Sequence, residues 1–279
     1  MCGIAGLSIA ANDYTFKAAE AAAAMLGAIE RRGRDATGAA WLDTDGNVRV
    51  TKLPVPATSF LTHRQKHLPS ATPALILHTR YGTHGSSSNR DNLHPVIHDS
   101  IIGVHNGVLR NHGDLFKLMG RTPTAEVDTE GLMALLTGWE HPTTMLGKIE
   151  GDAALAWIDL RAPEYLHLAC VTGRPLVVGQ TKQGTLLFGS TRDCVNAGAK
   201  AGGAELVFIE DVKEETYMKV KDGIIIEHAQ ISGVKASSKA FQQQYAWTSG
   251  HDSKPTGYKP KAARQAIPAF SEAPSSCPA

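Results

Sequence analysis

The first residue able to do chemistry is the second one. If Met1 is removed from Met1-Cys2-Gly3-Ile4-Ala5-Gly6, the chain begins with a cysteine whose thiol lies within hydrogen-bond reach of its own α-amino group. Such an amine has an ordinary pKa of about 8, so part of it is neutral at physiological pH and can take the thiol proton. One residue then supplies both nucleophile and base. The competing account is that Cys2 is a small apolar side chain opening a buried strand, since cysteine is among the most buried residue types.

Other candidates lie further along. Six of the twelve histidines fall between His78 and His112, which invites a metal reading. Their spacing argues against one: His94 and His98 are the single close pair, no acidic residue lies between them, and no HExxH or paired-cysteine pattern occurs. Arg31-Arg32-Gly33-Arg34 is too short a basic run to read as more than a solvated loop. Taken singly, Arg80 reads as a surface ion-pair partner, Asp128 as a helix cap, and Asn106-Gly107 as a type I′ hairpin turn. Neither GxGxxG nor GxxxxGK[ST] is present, so nothing points to a nucleotide held by the usual glycine-rich loops.

Five further blocks follow the N-terminal cysteine in order. They are Arg32-Gly33-Arg34-Asp35-Ala36-Thr37-Gly38, His78-Thr79-Arg80-Tyr81-Gly82-Thr83-His84-Gly85, Asn92-Leu93-His94-Pro95, Val104-His105-Asn106-Gly107 and Glu126-Val127-Asp128-Thr129-Glu130. Over roughly residues 2 to 230 the chain resembles the glutaminase domain of class II glutamine amidotransferases, the family of glucosamine-6-phosphate synthase and amidophosphoribosyltransferase. That resemblance implies an α+β fold, the four-layer αββα sandwich of the N-terminal-nucleophile hydrolases. It implies L-glutamine as substrate, no cofactor and no metal, and hydrolysis to glutamate and ammonia through a thioester on Cys2.

Matched residue by residue, the resemblance makes Cys2 the nucleophile and its freed amine the base. The Asn106 side chain and the Gly107 N–H become the oxyanion donors. Arg80 grips the substrate carboxylate, a task suited to a two-pronged guanidinium, and Asp128 holds its ammonium. Thr83 and His84 line the same pocket, and Arg32 stands in the loop beside the nucleophile. Tyr81 departs from the tryptophan of glucosamine-6-phosphate synthase, and Gly85-Ser86-Ser87-Ser88 looks more like amidophosphoribosyltransferase, so no one branch is matched closely. Family members usually carry a synthetase or transferase domain that accepts the ammonia. Here a separate acceptor enzyme is expected. Two alternatives stand beside this reading: an N-terminal-nucleophile amidohydrolase on another amide, which would have no need of Arg80 and Asp128, and a non-catalytic regulatory or scaffolding relative.

These residues need elements to hold them. Short apolar runs at 3–10, 36–41, 48–53, 74–79 and 101–105 read as strands, with Asp43-Thr44-Asp45-Gly46 as a hairpin turn, and the alanine-rich stretch 15–30 reads as a helix. Asn111 is placed to cap a helix reaching Met119, and Asp128 to cap another over Glu130 to Trp139. Beyond 153, strands predominate (153–160, 166–171, 176–179, 186–189, 206–209, 216–220 and 224–226), interrupted by one helix over 192–201. The glutaminase domain is expected to span 2–238. Residues 239–279 are polar, proline-scattered and poor in aliphatic side chains, and read as a disordered tail.

Composition agrees with a water-soluble enzyme. The 279 residues are 42% hydrophobic and 20% charged with a net charge of +1, so neither nucleic acid nor a membrane surface is an expected partner. No run is long enough to span a bilayer, and no basic segment with an apolar core opens the chain. The four cysteines, Cys2, Cys170, Cys194 and Cys277, show no CxxC spacing. A reducing cytoplasm is the expected setting.

Overall fold

Two antiparallel sheets lie face to face between two layers of helices. The computed structural model describes residues 1–43, 45–64, 67–82 and 85–233. Thr83, His84, Cys277 and the expected tail therefore lie outside the described residues.

The first sheet contains β1 (Gly3–Ser8), β2 (Ala36–Leu42), β3 (Val48–Leu53), β4 (Ala74–Arg80), β9 (Val177–Thr181), β10 (Leu186–Gly189) and β11 (Leu206–Asp211), in the order β11-β9-β10-β1-β4-β2-β3. The second contains β5 (Val96–His98), β6 (Ile101–Leu109), β7 (Gly151–Asp159), β8 (Leu166–Thr172), β12 (Thr216–Lys221) and β13 (Ile224–Gln230), in the order β13-β12-β8-β7-β6-β5. Helices α1 (Ala18–Ile29), α2 (Ala57–Arg64) and α6 (Arg192–Ala201) follow the chain into the first outer layer, and α3 (His112–Met119), α4 (Asp128–Leu136) and α5 (Pro142–Leu146) into the second.

Strand alternation builds the layers. Along β7, Ala154, Ala156 and Ile158 face the other sheet, whereas Ala153, Leu155 and Trp157 face the helices. Along β4, Ala74 and Ile76 point between the sheets, and Leu75 and Leu77 toward α1. Both faces of a central strand are therefore apolar, which explains why these segments read as continuous hydrophobic runs rather than alternating ones. α1 answers with Ala18, Ala21, Ala22, Met25, Leu26 and Ile29, all buried and spaced for one helical face.

Two sequence expectations give way here. Asn111 does sit at the N-cap of α3, but its side chain does not cap the helix. Instead Nδ2 donates to the Lys148 carbonyl, 3.0 Å, and Oδ1 accepts from Glu150 N–H, 2.9 Å, tying the helix start to the approach of β7. Asp128 is the first helical residue of α4, and Val127 takes the cap position. The Asp128 carboxylate turns away to β6.

Polar residues concentrate at one end of the sandwich. Pairing of Gly3 with Thr79 and of Ala36 with Arg80 puts the starts of β1 and β2 beside the finish of β4. In the facing sheet, Asn106 pairs with Ala154, and Ala153 with Thr172, bringing the latter part of β6, the start of β7 and the finish of β8 together.

Candidate active site

Cys2 stands one residue before β1, at that polar end. Its sulfur lies 3.4 Å from Tyr81 N–H, which donates to it, and 3.5 Å from the Tyr81 carbonyl, which accepts from the thiol. The Tyr81 backbone is held in turn: Asp35 N–H donates to the Arg80 carbonyl, 2.9 Å, and Gly82 N–H to Asp35 Oδ2, 2.7 Å. Gly33 lets the loop pass this close, since a Cβ there would overlap the Arg80 backbone. Arg32, one residue earlier, donates from Nε to the Cys2 carbonyl, 2.9 Å. Its neighbours Arg31 and Arg34 pair outward with Asp193 and Glu30. The basic run is thus divided, with one arginine in the site and two outside it.

The second sheet brings Asn106 and Gly107. They are not a hairpin turn: β6 continues through them to Leu109, paired with β7 along its whole length. A short turn signal yields here to nine residues of strand pairing. Oriented so that both ends of its amide find partners, Asn106 donates from Nδ2 to the Cys2 carbonyl, 3.1 Å, and accepts at Oδ1 from Arg32 Nη2, 3.2 Å. Gly107 is required by space, because a Cβ would overlap the Asp152 carbonyl and the His105 ring. Its N–H direction follows from its neighbours. Arg110 N–H bonds to the Glu150 carbonyl across the pair of strands, while Leu109 N–H bonds to Asp128 Oδ2, 2.7 Å, on the other side. Alternation then turns Gly107 N–H away from β7, like that of Leu109. β5 covers β6 only as far as Gly103, so that edge is clear of strand pairing at Gly107.

Arg80 closes β4 and is buried; Nη2 donates to the Gly85 carbonyl, 2.9 Å. Asp128 is buried at the start of α4. The charges of both are felt at the Cys2 sulfur. Burial pushes the Cys2 thiol above its ordinary pKa, opposed by the Tyr81 N–H, the N-terminal amine and Arg80, and assisted by Asp128. The resting sulfur therefore holds its proton until a base removes it. The Met1 amine of the unprocessed chain moves the other way, lowered first by burial and also by Arg32 and Arg174, against Cys2 and Asp35, which raise it.

Behind the donors lies a buried polar cluster. The Thr129 hydroxyl bridges His94 Nε2, 2.9 Å, and His105 Nδ1, 3.1 Å, while His78 Nε2 pairs with the His105 carbonyl, 3.2 Å, and stacks on His94 at 4.0 Å. Desolvation lowers the pKa of all three rings, that of His78 to about 3, so they sit neutral. The cluster joins β4, β6 and α4 through hydrogen bonds. Among the described residues no three histidine, cysteine or acidic side chains gather as a metal site.

Three participants carried no sequence signal. Tyr81 contributes backbone atoms, which its side-chain identity does not reveal. Arg174 and Asp152 form a buried ion pair, Nη2 to Oδ2 3.3 Å, between the β8–β9 connection and β7. In sequence, Thr172-Gly173-Arg174-Pro175 is only a turn. A cavity of about 70 Å3 is lined by Met1, Cys2, Tyr81, Asn106, Gly107, Val108 and Arg174. With Met1 present it has room for roughly two waters. A larger hollow, about 490 Å3, lies near Ile9, Tyr14 and Pro73, but no cysteine lines it, and chemistry rather than volume identifies the site.

In fold, the chain is a four-layer sandwich, two facing antiparallel sheets between two layers of helices. Glutamine phosphoribosylpyrophosphate amidotransferase from B. subtilis superposes with a TM-score of 0.66 at 18% identity, over 83% of this chain and 49% of that one. Residues 78–197 match the model of the glutamine amidotransferase domain. Glutamine–fructose-6-phosphate aminotransferase (isomerizing) of Escherichia coli K12 is 34% identical over 192 residues, 64% of this chain and 30% of the relative. The protein of the same name from Yersinia pseudotuberculosis is 35% identical over 195 residues, with the same two shares. Over these stretches the chain is similar to glutamine amidotransferases. It spans about 30% of the length of the curated relatives it matches.

Proposed function

We propose that the protein hydrolyses the side-chain amide of L-glutamine to glutamate and ammonia, with Cys2 as nucleophile once Met1 is removed. The freed Cys2 amine takes the thiol proton as sulfur attacks the amide carbon. Asn106 Nδ2 and Gly107 N–H receive the oxyanion, a task for which fixed donors are worth about two to three orders of magnitude in rate. The protonated amine then gives its proton to the departing nitrogen, ammonia leaves, and water attacks the γ-glutamyl thioester. Arg80 and Asp128 hold the α-carboxylate and α-ammonium, and Arg32 fixes the nucleophile's backbone; the resemblance adds Thr83 and His84 to glutamine recognition, and both lie outside the described residues.

The observation that carries this reading is the meeting of the two sheets at Cys2. Asn106 from one sheet contacts the Cys2 backbone carbonyl, and Gly107 lines the same cavity as Cys2. Glutamine is also named as a substrate of the curated relatives. The test is direct. Active protein has the intact mass of a chain lacking Met1, diazo-oxo-norleucine adds once and at Cys2, and Cys2→Ala abolishes ammonia release. An active preparation retaining Met1 sinks the mechanism. Cys170→Ala and Cys194→Ala keep nearly full turnover, because both thiols are buried and pushed up to about 12.

The ammonia is assigned to a separate acceptor enzyme in the cytoplasm. Hydrolysis by the isolated chain is expected to be slow. A co-purifying acceptor should raise it by closing water out of the pocket. Addition of that protein without any change in rate retires the coupling.

A further inference from the structure

We propose that Arg174, held by Asp152, is a positioning residue for the N-terminal amine, facing the first residue of the chain and keeping the amine uncharged for its work as base. The inference rests on the glutaminase reading above. Arg174 is 8% exposed and reaches the site from the connection between β8 and β9. Nη1 touches the Met1 sulfur at 3.4 Å, and Nη2 lies 3.3 Å from Asp152 Oδ2. The guanidinium shares one small cavity with Cys2, Asn106 and Gly107.

The backbone is shaped for this placement. Gly173 adopts φ +66°, and a Cβ there would collide with the Asp152 carboxylate. Gly173 N–H is fixed by Glu214 Oε1, 2.9 Å. A buried guanidinium is costly unless paired, so Asp152 accounts for its stability at this depth. It does not account for the contact with Met1, whose thioether is a weak acceptor. Met1 and Arg174 line the cavity that Cys2 also lines, so space opens there when Met1 leaves. On the Met1 amine of the unprocessed chain, Arg32 and Arg174 act on one side of the balance and the Cys2 thiol and Asp35 on the other, and the same groups surround the amine that Cys2 carries one residue further in. Asp152 stands behind Arg174. A nearby cation disfavours a second positive charge and so favours the neutral amine.

The amine can be titrated without turnover. In the Cys2→Ala chain, lacking Met1, the rate of N-terminal acetylation by acetic anhydride is followed against pH. Arg174→Gln should move the midpoint upward by about half a unit or more, while Arg174→Lys, which keeps the charge, should leave it in place. An unmoved midpoint in Arg174→Gln overturns the proposal. If that variant fails to fold because Asp152 is stranded, the pair Arg174→Gln with Asp152→Asn carries the same expectation. In the Cys2 chain, Arg174→Gln should shift the acidic limb of kcat/KM by the same amount, with KM for glutamine held within about threefold. Absence of glutamine hydrolysis in the unsubstituted chain would retire the glutaminase reading and leave the amine titration to judge Arg174. Normal hydrolysis with an unmoved midpoint retires Arg174 alone.

Discussion

A thiol that burial holds protonated becomes a nucleophile only when donors, base and substrate arrive together, so the side chains around Cys2 should separate cleanly in kinetics. Asn106 acts on charge that exists only in the transition state. Asn106→Ala is therefore expected to lower kcat by about a hundredfold or more with little change in KM. In the proposed mechanism Arg80 and Asp128 hold groups that glutamine carries in every state, so Arg80→Ala and Asp128→Ala should chiefly raise KM. Steady-state rates against glutamine concentration decide, and equal effects on both constants at all three positions would show the roles misassigned. Arg32, Arg80, Asn106, Gly107 and Asp128 were legible only through the ordered blocks that carry the resemblance, since taken singly they read as a solvated loop, an ion-pair partner, a turn and a helix cap. Arg174 was not among them. An arginine after a glycine in a strand connection has no local mark, and only the register of β7 with β8 brings it to Asp152 and Met1. Tyr81 was visible only as a side chain, whereas its peptide group holds the sulfur.

At the scale of elements, close approach decides which glycines are replaceable. Gly107 lies mid-strand against the Asp152 carbonyl, whereas Gly27 is exposed in α1 with nothing near its absent Cβ. Gly107→Ala should destabilise on the order of 2 kcal/mol and displace the donor edge of β6. Gly27→Ala should stabilise by about 0.5–1 kcal/mol through helix propensity alone. Urea midpoints for the two variants check both signs, and a neutral Gly107→Ala would mean that β6 and β7 separate more readily than their pairing implies. Long apolar runs made most strands legible, and β3, β10 and α6 have the expected bounds. Three elements were illegible: α2, whose eight residues carry little amphipathic pattern, and β5 and α5, three and five residues long. Local reading also fails where a polar side chain has better offers. Asn111 and Asp128 both looked like caps, and each instead serves a neighbouring strand.

Taken whole, the sandwich hides neutral imidazoles at depth. Desolvation lowers His78 and His167 to about 3 each. In the unfolded chain they titrate at the ordinary value, so below about 6.5 the unfolded state binds more protons and stability falls with pH. Each such ring should cost about 2 kcal/mol by pH 5, with the loss continuing toward pH 3. Urea midpoints at pH 7 and pH 5 test this, and coincident midpoints would refute it. Among the described residues no helix is long and apolar enough to cross a membrane. The N-terminus has a practical consequence. Only Met1 and Cys2 precede β1, and Gly3 is already paired with Thr79, so at about 3.5 Å per residue there is no slack for the front of the chain to step aside. Any peptide fused ahead of Cys2 would have to leave through the mouth of the cavity, turning the terminal amine into an amide and plugging its own catalyst. Affinity tags belong at the far terminus. Material tagged at the front would bind columns, fold normally and mislead every assay of its chemistry.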